Sequence, residues 1–125
     1  MPQVDAKIRM QIRYSSTVNR NDWHFVLKHA GLANTFHTPE YFDIQCSSGH
    51  RLLYSCCYNQ NTPIGIIAGV VNNSGYHQGL IEIGTKSGGY PLMVDEYDHT
   101  PKGEQLKQQF FERFVQQHLR NQLNR

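Results

Sequence analysis

The alternation of apolar and polar residues predicts one strand near the start of the chain and three in its middle. Residues 8–14 alternate with the two-residue period of a half-buried strand. Residues 51–58, 63–71 and 80–85 form three further strand-like runs, joined by short turn-forming sequences rich in Asn, Ser and Gly. Short connections favour an antiparallel meander. The run 63–71 is apolar on both alternating faces, which indicates a central strand covered on both sides.

Two short helices are predicted between the first strand and the meander. Asn19 is placed to cap a helix whose apolar positions begin at Trp23, and Gly31 is placed to end it. Thr38 is placed to cap a second helix over residues 39–46, which has Pro at its first position and Glu at its second.

A longer amphipathic helix is predicted over residues 101–125, because its apolar positions recur every three or four residues. These positions are Leu106, Phe110, Phe111, Phe114, Val115, His118 in part, Leu119 and Leu123. A stripe so rich in Phe must pack on another element, most simply on the sheet. The element order therefore predicts an α+β fold, a mostly antiparallel sheet flanked by helices, formed as a single domain by residues 1–125.

Composition and length narrow the class of protein. The chain has 125 residues, of which 38% are hydrophobic and 18% charged, so it is long enough for one core and is not disordered by composition. A net charge of +2 and the lack of a helix-turn-helix or RNA-recognition signature argue against stable DNA binding. The longest apolar run, residues 63–71, is too short to cross a bilayer, so we expect no transmembrane segment.

Both ends of the chain are basic. Residues 1–20 and 100–125 each carry a net charge of +3, so the middle carries −4. Such ends could face an anionic partner such as a phosphate-bearing substrate, or they could simply be charged, solvated faces. The ionisable residues of the first segment are Lys7, Arg9, Arg13 and Arg20, against Asp5.

The three cysteines are predicted to be reduced, and the two adjacent ones to be unreactive. Cys46, Cys56 and Cys57 are an odd number, and the last two are adjacent and would point to opposite faces of a strand. Reduced thiols favour a cytoplasmic location. Burial in an apolar strand would raise the pKa of the Cys56 and Cys57 thiols and make them poor nucleophiles. The seven histidines and three cysteines lack metal-ligand spacing, so we expect no metal site.

The ordered set of local sequences is similar to the N-terminal half of the Fem-type peptidoglycan aminoacyltransferases and their GNAT-like acyltransferase relatives. The similarity covers roughly residues 20–120. It is carried by residues 23–26 (Trp-His-Phe-Val), 36–41 (Phe-His-Thr-Pro-Glu-Tyr), 52–54 (Leu-Leu-Tyr), 63–67 (Pro-Ile-Gly-Ile-Ile) and 88–92 (Gly-Gly-Tyr-Pro-Leu).

This resemblance implies one half of a two-part, bacterial cell-envelope enzyme that transfers an acyl or aminoacyl group to an amine-bearing precursor. The donor, an acyl-CoA or an aminoacyl-tRNA, would bind mainly to the missing second half. The chain lacks the Arg/Gln-x-x-Gly-x-Gly/Ala loop that would hold a CoA pyrophosphate, so we expect it to hold no cofactor and to be inactive alone. The alternative is a non-catalytic binding domain, which would form a homodimer through an exposed sheet edge.

The resemblance also implies where a substrate would bind. The first candidate segment is Lys86, Ser87, Gly88, Gly89 and Tyr90, where paired glycines would let a ligand approach the backbone and Tyr90 would offer a stacking face. A simple bend is the alternative, because glycine pairs commonly mark turns.

The second candidate segment is Phe36, His37 and Tyr41, on the acceptor side. His37 titrates near neutrality and could act as an acid or base. The alternative is that Phe36 packs on the helix, Thr38 caps it and His37 is solvated. An acidic run at residues 95–98 could offer a carboxylate base but is better interpreted as a solvated loop.

Overall fold

The structure is a computed structural model that describes residues 11–47, 49–71, 81–83 and 91–123. It is an α+β fold, as the hydrophobic pattern predicts. In chain order, its elements are strand β1 (Ile12–Ser15), helix α1 (Arg20–His29), a 3₁₀ turn (Thr35–His37), helix α2 (Pro39–Ser47), strands β2 (Arg51–Asn59), β3 (Thr62–Val71), β4 (Ile81–Ile83) and β5 (Leu92–Met93), and helix α3 (Pro101–Leu123). The predicted strands 8–14 and 80–85 lie partly outside the described residues.

All described strands belong to one antiparallel sheet in the order β1-β2-β3-β4. The hairpin of β2 and β3 is its centre, and the register shifts by one residue between Cys57 and Tyr58. Strand β5 pairs with β3 at Gly65 and Ile66, along the same edge that β4 pairs with farther on. The sequence does not predict β5, because two residues are too few for periodicity to be read.

Helices cover both faces of this sheet. The Trp23 ring of α1 lies 4.9 Å from the Tyr54 ring of β2, so α1 packs on the face that carries Tyr54, Cys56 and Tyr58, called here the α1 face. The Phe110 ring of α3 lies 5.4 Å from the Tyr14 ring of β1. Tyr14 pairs with Cys57 and therefore belongs to the opposite face, the α3 face. Strands β2 and β3 are buried along most of their length, as expected for the centre of a covered sheet.

The predicted caps of α1 and α2 are confirmed. The Asn19 side chain accepts a hydrogen bond from the Asp22 amide, which satisfies one of the free donors in the first turn of α1. The Thr38 hydroxyl does the same for the Tyr41 amide at the start of α2. Local polar side chains thus determine where these two helices begin.

Helix α3 begins at a crowded turn. The Thr100 hydroxyl accepts a hydrogen bond from the Gly103 amide at 2.9 Å. A Cβ at Gly103 would lie 1.5 Å from the Tyr97 carbonyl oxygen, so only glycine fits there. From this point the predicted stripe packs inwards, and Leu106, Phe110 and Phe114 are buried. No helix among the described residues is both long and apolar enough to span a membrane.

Candidate functional site

The two predicted substrate-binding segments are described to different extents. Lys86, Ser87, Gly88, Gly89 and Tyr90 lie outside the described residues. Phe36, His37 and Tyr41 lie within them, the first two in the 3₁₀ turn and the third in the first turn of α2. The predicted acceptor-side segment is therefore a tight, helical corner between α1 and α2.

His37 is buried in this corner, with 7% of its surface exposed. The prediction that the ring is solvated is wrong, because Nδ1 accepts a hydrogen bond from the Asn34 amide at 2.9 Å. A nitrogen that accepts a hydrogen bond carries no proton, so the ring is neutral with its hydrogen on Nε2. The His37 carbonyl accepts a hydrogen bond from Trp23 Nε1 at 2.8 Å. These contacts fix the corner against α1 through buried polar groups.

Tyr41 is half-buried and presents its hydroxyl along α2, where the oxygen accepts a hydrogen bond from Gln45 Nε2 at 2.9 Å. Beside it, two exposed contacts join the helices: the Arg20–Asp43 ion pair at 2.5 Å, and His24 beside Glu40 at 3.4 Å, which is an ion pair only when His24 is protonated. Exposed pairs of this kind contribute little stability. They do link the start of α1 to α2.

A second polar cluster, which the sequence does not predict, lies on the α1 face at the other end of β2. The Tyr58 hydroxyl donates a hydrogen bond to the Asp22 carboxylate at 2.5 Å. The guanidinium carbon of Arg13 lies 4.0 Å from the centre of the Tyr58 ring. Arg13 Nε also donates a hydrogen bond to the Gln60 carbonyl at 3.3 Å. The cluster therefore joins α1, β1 and the β2–β3 hairpin.

An open groove of about 480 Å³ begins at this arginine. It is lined by Gln11, Ile12, Arg13, Gln60 and Asn61, which come from the start of β1 and the tip of the hairpin. Four of the five lining residues have polar side chains, one guanidinium and three carboxamides, and the fifth is Ile12.

Burial makes both strand cysteines poor nucleophiles. Cys56 and Cys57 are fully buried, and burial raises the pKa of the Cys56 thiol to about 11 and that of Cys57 to about 12. Burial also raises the pKa of Tyr54 and Tyr58 above the usual value for a phenol. All three cysteines are free thiols, as predicted, and at neutral pH these groups are protonated and act as packing and hydrogen-bonding groups.

The acidic run at residues 95–98 is not the fully solvated loop that the sequence predicts. The Asp98 side chain is only 8% exposed and accepts a hydrogen bond from Lys107 Nζ at 3.3 Å. Asp98, His99 and Glu104 bring three potential metal ligands within 4.8 Å of one another. Lys107 Nζ lies 3.4 Å from Glu104 as well, so its ammonium group contacts both carboxylates and offsets one of their two negative charges. This arrangement does not favour a cation.

Asp95 ties the end of α1 to the segment that leads into α3. Its carboxylate accepts a hydrogen bond from the Gly31 amide at 2.8 Å, and its own amide donates one to the His29 carbonyl at 2.9 Å. Nothing local in the sequence reveals this pairing, because the two segments are 64 residues apart.

No family model matches the chain, and no curated protein matches it.

Proposed function

We propose that the chain is the N-terminal part of a GNAT-like acyl- or aminoacyltransferase that acts on an amine of a bacterial cell-envelope precursor. One observation carries the proposal: the elements occur in the order that the resemblance implies. A helix containing Trp23 comes first, and then a helix that begins at Pro39. The β2–β3 hairpin follows.

In this proposal the α1–α2 corner forms the wall that holds the acceptor. Amide synthesis from an activated ester or thioester needs an amine held in line with the carbonyl, and donors for the oxyanion that forms. A rigid corner suits the first task. His37 is held from both its ring and its carbonyl, and Thr38 caps the helix that carries Tyr41. His37 then positions the corner, and the exposed part of Tyr41 is available to contact the acceptor.

The proposal does not require a covalent enzyme intermediate. The buried thiols of Cys56 and Cys57, with their raised pKa values, are unsuited to nucleophilic catalysis. The chemistry would rest on positioning, with an acyl-CoA or aminoacyl-tRNA donor held by a second half. We expect the chain alone to show no turnover, because its sequence lacks the loop for a CoA pyrophosphate.

The proposal is tested by titrating the isotope-labelled chain with a soluble muropeptide that carries a free side-chain amine. Backbone amide signals should shift at residues 36–41 and 86–90, and Tyr41→Ala should weaken binding at least fivefold. Ile44→Ala is the matched control, because Ile44 lies in the same helix with 67% of its surface exposed. Equal effects of the two variants, or no shifts in either segment, would overturn the acceptor role.

A companion assay supplies acetyl-CoA, or a charged tRNA, with the same muropeptide. No acyl transfer should occur with the chain alone. Measured turnover would contradict the proposed dependence on a second half while leaving the acceptor role standing.

The alternative, a non-catalytic dimerisation domain, is favoured by one feature of the sheet. Among the described residues, the strand path ends at β1 on one side and at β4 on the other, and unpaired strand edges favour association. Sedimentation velocity over a hundredfold range of concentration separates the two proposals. A stable dimer that binds no muropeptide would support the alternative.

A further inference from the structure

Arg13 is a surface arginine whose guanidinium is held in one place. The guanidinium carbon of Arg13 lies 4.0 Å from the centre of the Tyr58 ring, and Arg13 Nε donates a hydrogen bond to the Gln60 carbonyl at 3.3 Å. A free arginine side chain loses considerable rotamer entropy when it binds a ligand. Two contacts that already restrict the guanidinium reduce that loss, so Arg13 is better prepared to bind than an unrestrained surface arginine is.

The tyrosine beneath Arg13 is also fixed. The Tyr58 hydroxyl donates to the Asp22 carboxylate at 2.5 Å, and Asp22 lies in the first turn of α1, next to the Asn19 cap. Tyr58 itself is 4% exposed. A series of contacts therefore runs from the helix through the buried ring to the guanidinium at the surface.

The Asp22 carboxylate is engaged by Tyr58 and not by the arginine. Within the described part of the chain, Arg13 forms no ion pair with any carboxylate. Arg13 itself lines the open groove, together with Gln11, Ile12, Gln60 and Asn61. Gln60 adopts a positive φ of 57°, a conformation that costs a non-glycine residue free energy. In this conformation the Gln60 carbonyl accepts the hydrogen bond from Arg13 Nε.

We propose that this groove binds a small oxyanion, a phosphate or a carboxylate group, with Arg13 as its charged anchor. The guanidinium presents paired N–H donors that match two oxygens of such a group. Carboxamide side chains at the rim can donate further hydrogen bonds. This site lies at the start of β1 and the tip of the β2–β3 hairpin. It does not depend on the proposed transferase function.

The test is a titration of the labelled chain with sodium phosphate and, separately, with sodium acetate, both at constant ionic strength set with chloride. Saturable shifts should appear at the backbone amides of residues 11–13 and 59–61. Saturation by phosphate alone or acetate alone would support the site and identify its preferred anion. Shifts that never saturate in either titration would overturn the proposal.

Three variants distinguish a specific binding site from a general attraction of the anion to positive charge. Arg13→Gln should weaken binding at least tenfold, and Arg13→Lys at least threefold, because lysine keeps the charge but loses the planar pair of donors. Arg113→Gln is the matched control. It removes the same charge from an arginine that also lies over a tyrosine, Tyr14, but on the α3 face. Equal weakening by Arg13→Gln and Arg113→Gln would overturn the proposal.

Discussion

The two faces of the sheet each carry an arginine over a tyrosine ring, but the two pairs are held differently. On the α1 face, Arg13 lies 4.0 Å from the Tyr58 ring, and the tyrosine is buried and bonded to Asp22. On the α3 face, Arg113 lies 4.7 Å from Tyr14, whose ring is half-exposed and packs on Phe110.

The two faces therefore differ in the contacts that stabilise them. The α3 face is stabilised by aromatic packing between the sheet and one long helix. The α1 face adds hydrogen bonds from Tyr58 to Asp22 and from Trp23 to the His37 carbonyl. These bonds stabilise the fold less than the burial of large apolar side chains does, but they restrict the orientation of the side chains more. We therefore expect mutations on the α3 face to affect mainly stability, and mutations on the α1 face to affect mainly ligand binding.

The largest expected effect is that of Phe110→Ala on the α3 face. Phe110 is 1% exposed and contacts Tyr14, so its removal should leave a cavity between helix and sheet. The free energy of unfolding should fall by about 3–5 kcal/mol, as measured by urea denaturation. Gln109→Ala, one residue earlier and exposed, should change it by less than about 0.5 kcal/mol. Similar losses for the two variants would show that α3 is not packed on the sheet through Phe110.

The second prediction compares the two strand cysteines, which lie on opposite faces. Burial raises both thiol pKa values above 9.0, to about 11 for Cys56 and about 12 for Cys57. Their protonated state is therefore favoured by folding. The stabilisation is fully present below pH 9 and is lost as the pH rises towards 11–12, because only the unfolded thiols ionise in that window. Each thiol should cost about 1 kcal/mol of stability between pH 8 and pH 10.

Urea denaturation at the two pH values measures this loss, and Cys57→Ala should remove about half of the part due to the thiols. A thiol reagent at pH 8 gives an independent check. Only Cys46, which is partly exposed, should react in the folded protein, and all three thiols should react after unfolding. Rapid reaction of Cys56 or Cys57 in the native state would contradict the buried arrangement of both faces.

The parts of the fold that depend on neighbouring residues could be predicted from the sequence. Asn19 and Thr38 begin their helices as predicted, because a cap acts on amides two or three residues away. The Phe stripe of α3 and the covered central strand follow from periodicity in the same way. Strand β5 could not be predicted, because it exists only through its pairing with β3.

The candidate sites depend on residues that are distant in the sequence. Asp22 and Tyr58 are 36 residues apart, and Arg13 and Gln60 are 47 apart. Alternation does assign Tyr58 to one face of its strand. Nothing local shows that the first turn of α1 lies above it. The burial of His37 likewise follows from the approach of Trp23, which the helix pattern alone does not reveal.

The smallest expected effect tests the comparison of the two tyrosines directly. Tyr58→Phe removes the hydrogen bond to Asp22 and should lower the free energy of unfolding by about 1 kcal/mol, because water can reach the half-buried carboxylate. Tyr14→Phe should cost only a few tenths of a kcal/mol, since its ring contacts with Phe110 and Arg113 remain.

The two variants should also differ in their effect on oxyanion binding. Tyr58→Phe frees the ring beneath Arg13 and should weaken oxyanion binding about twofold to threefold, whereas Tyr14→Phe should leave it unchanged. If both variants destabilise the protein equally and neither alters binding, then Asp22 does not orient the Arg13 groove, and the two arginine–tyrosine pairs are equivalent surface contacts.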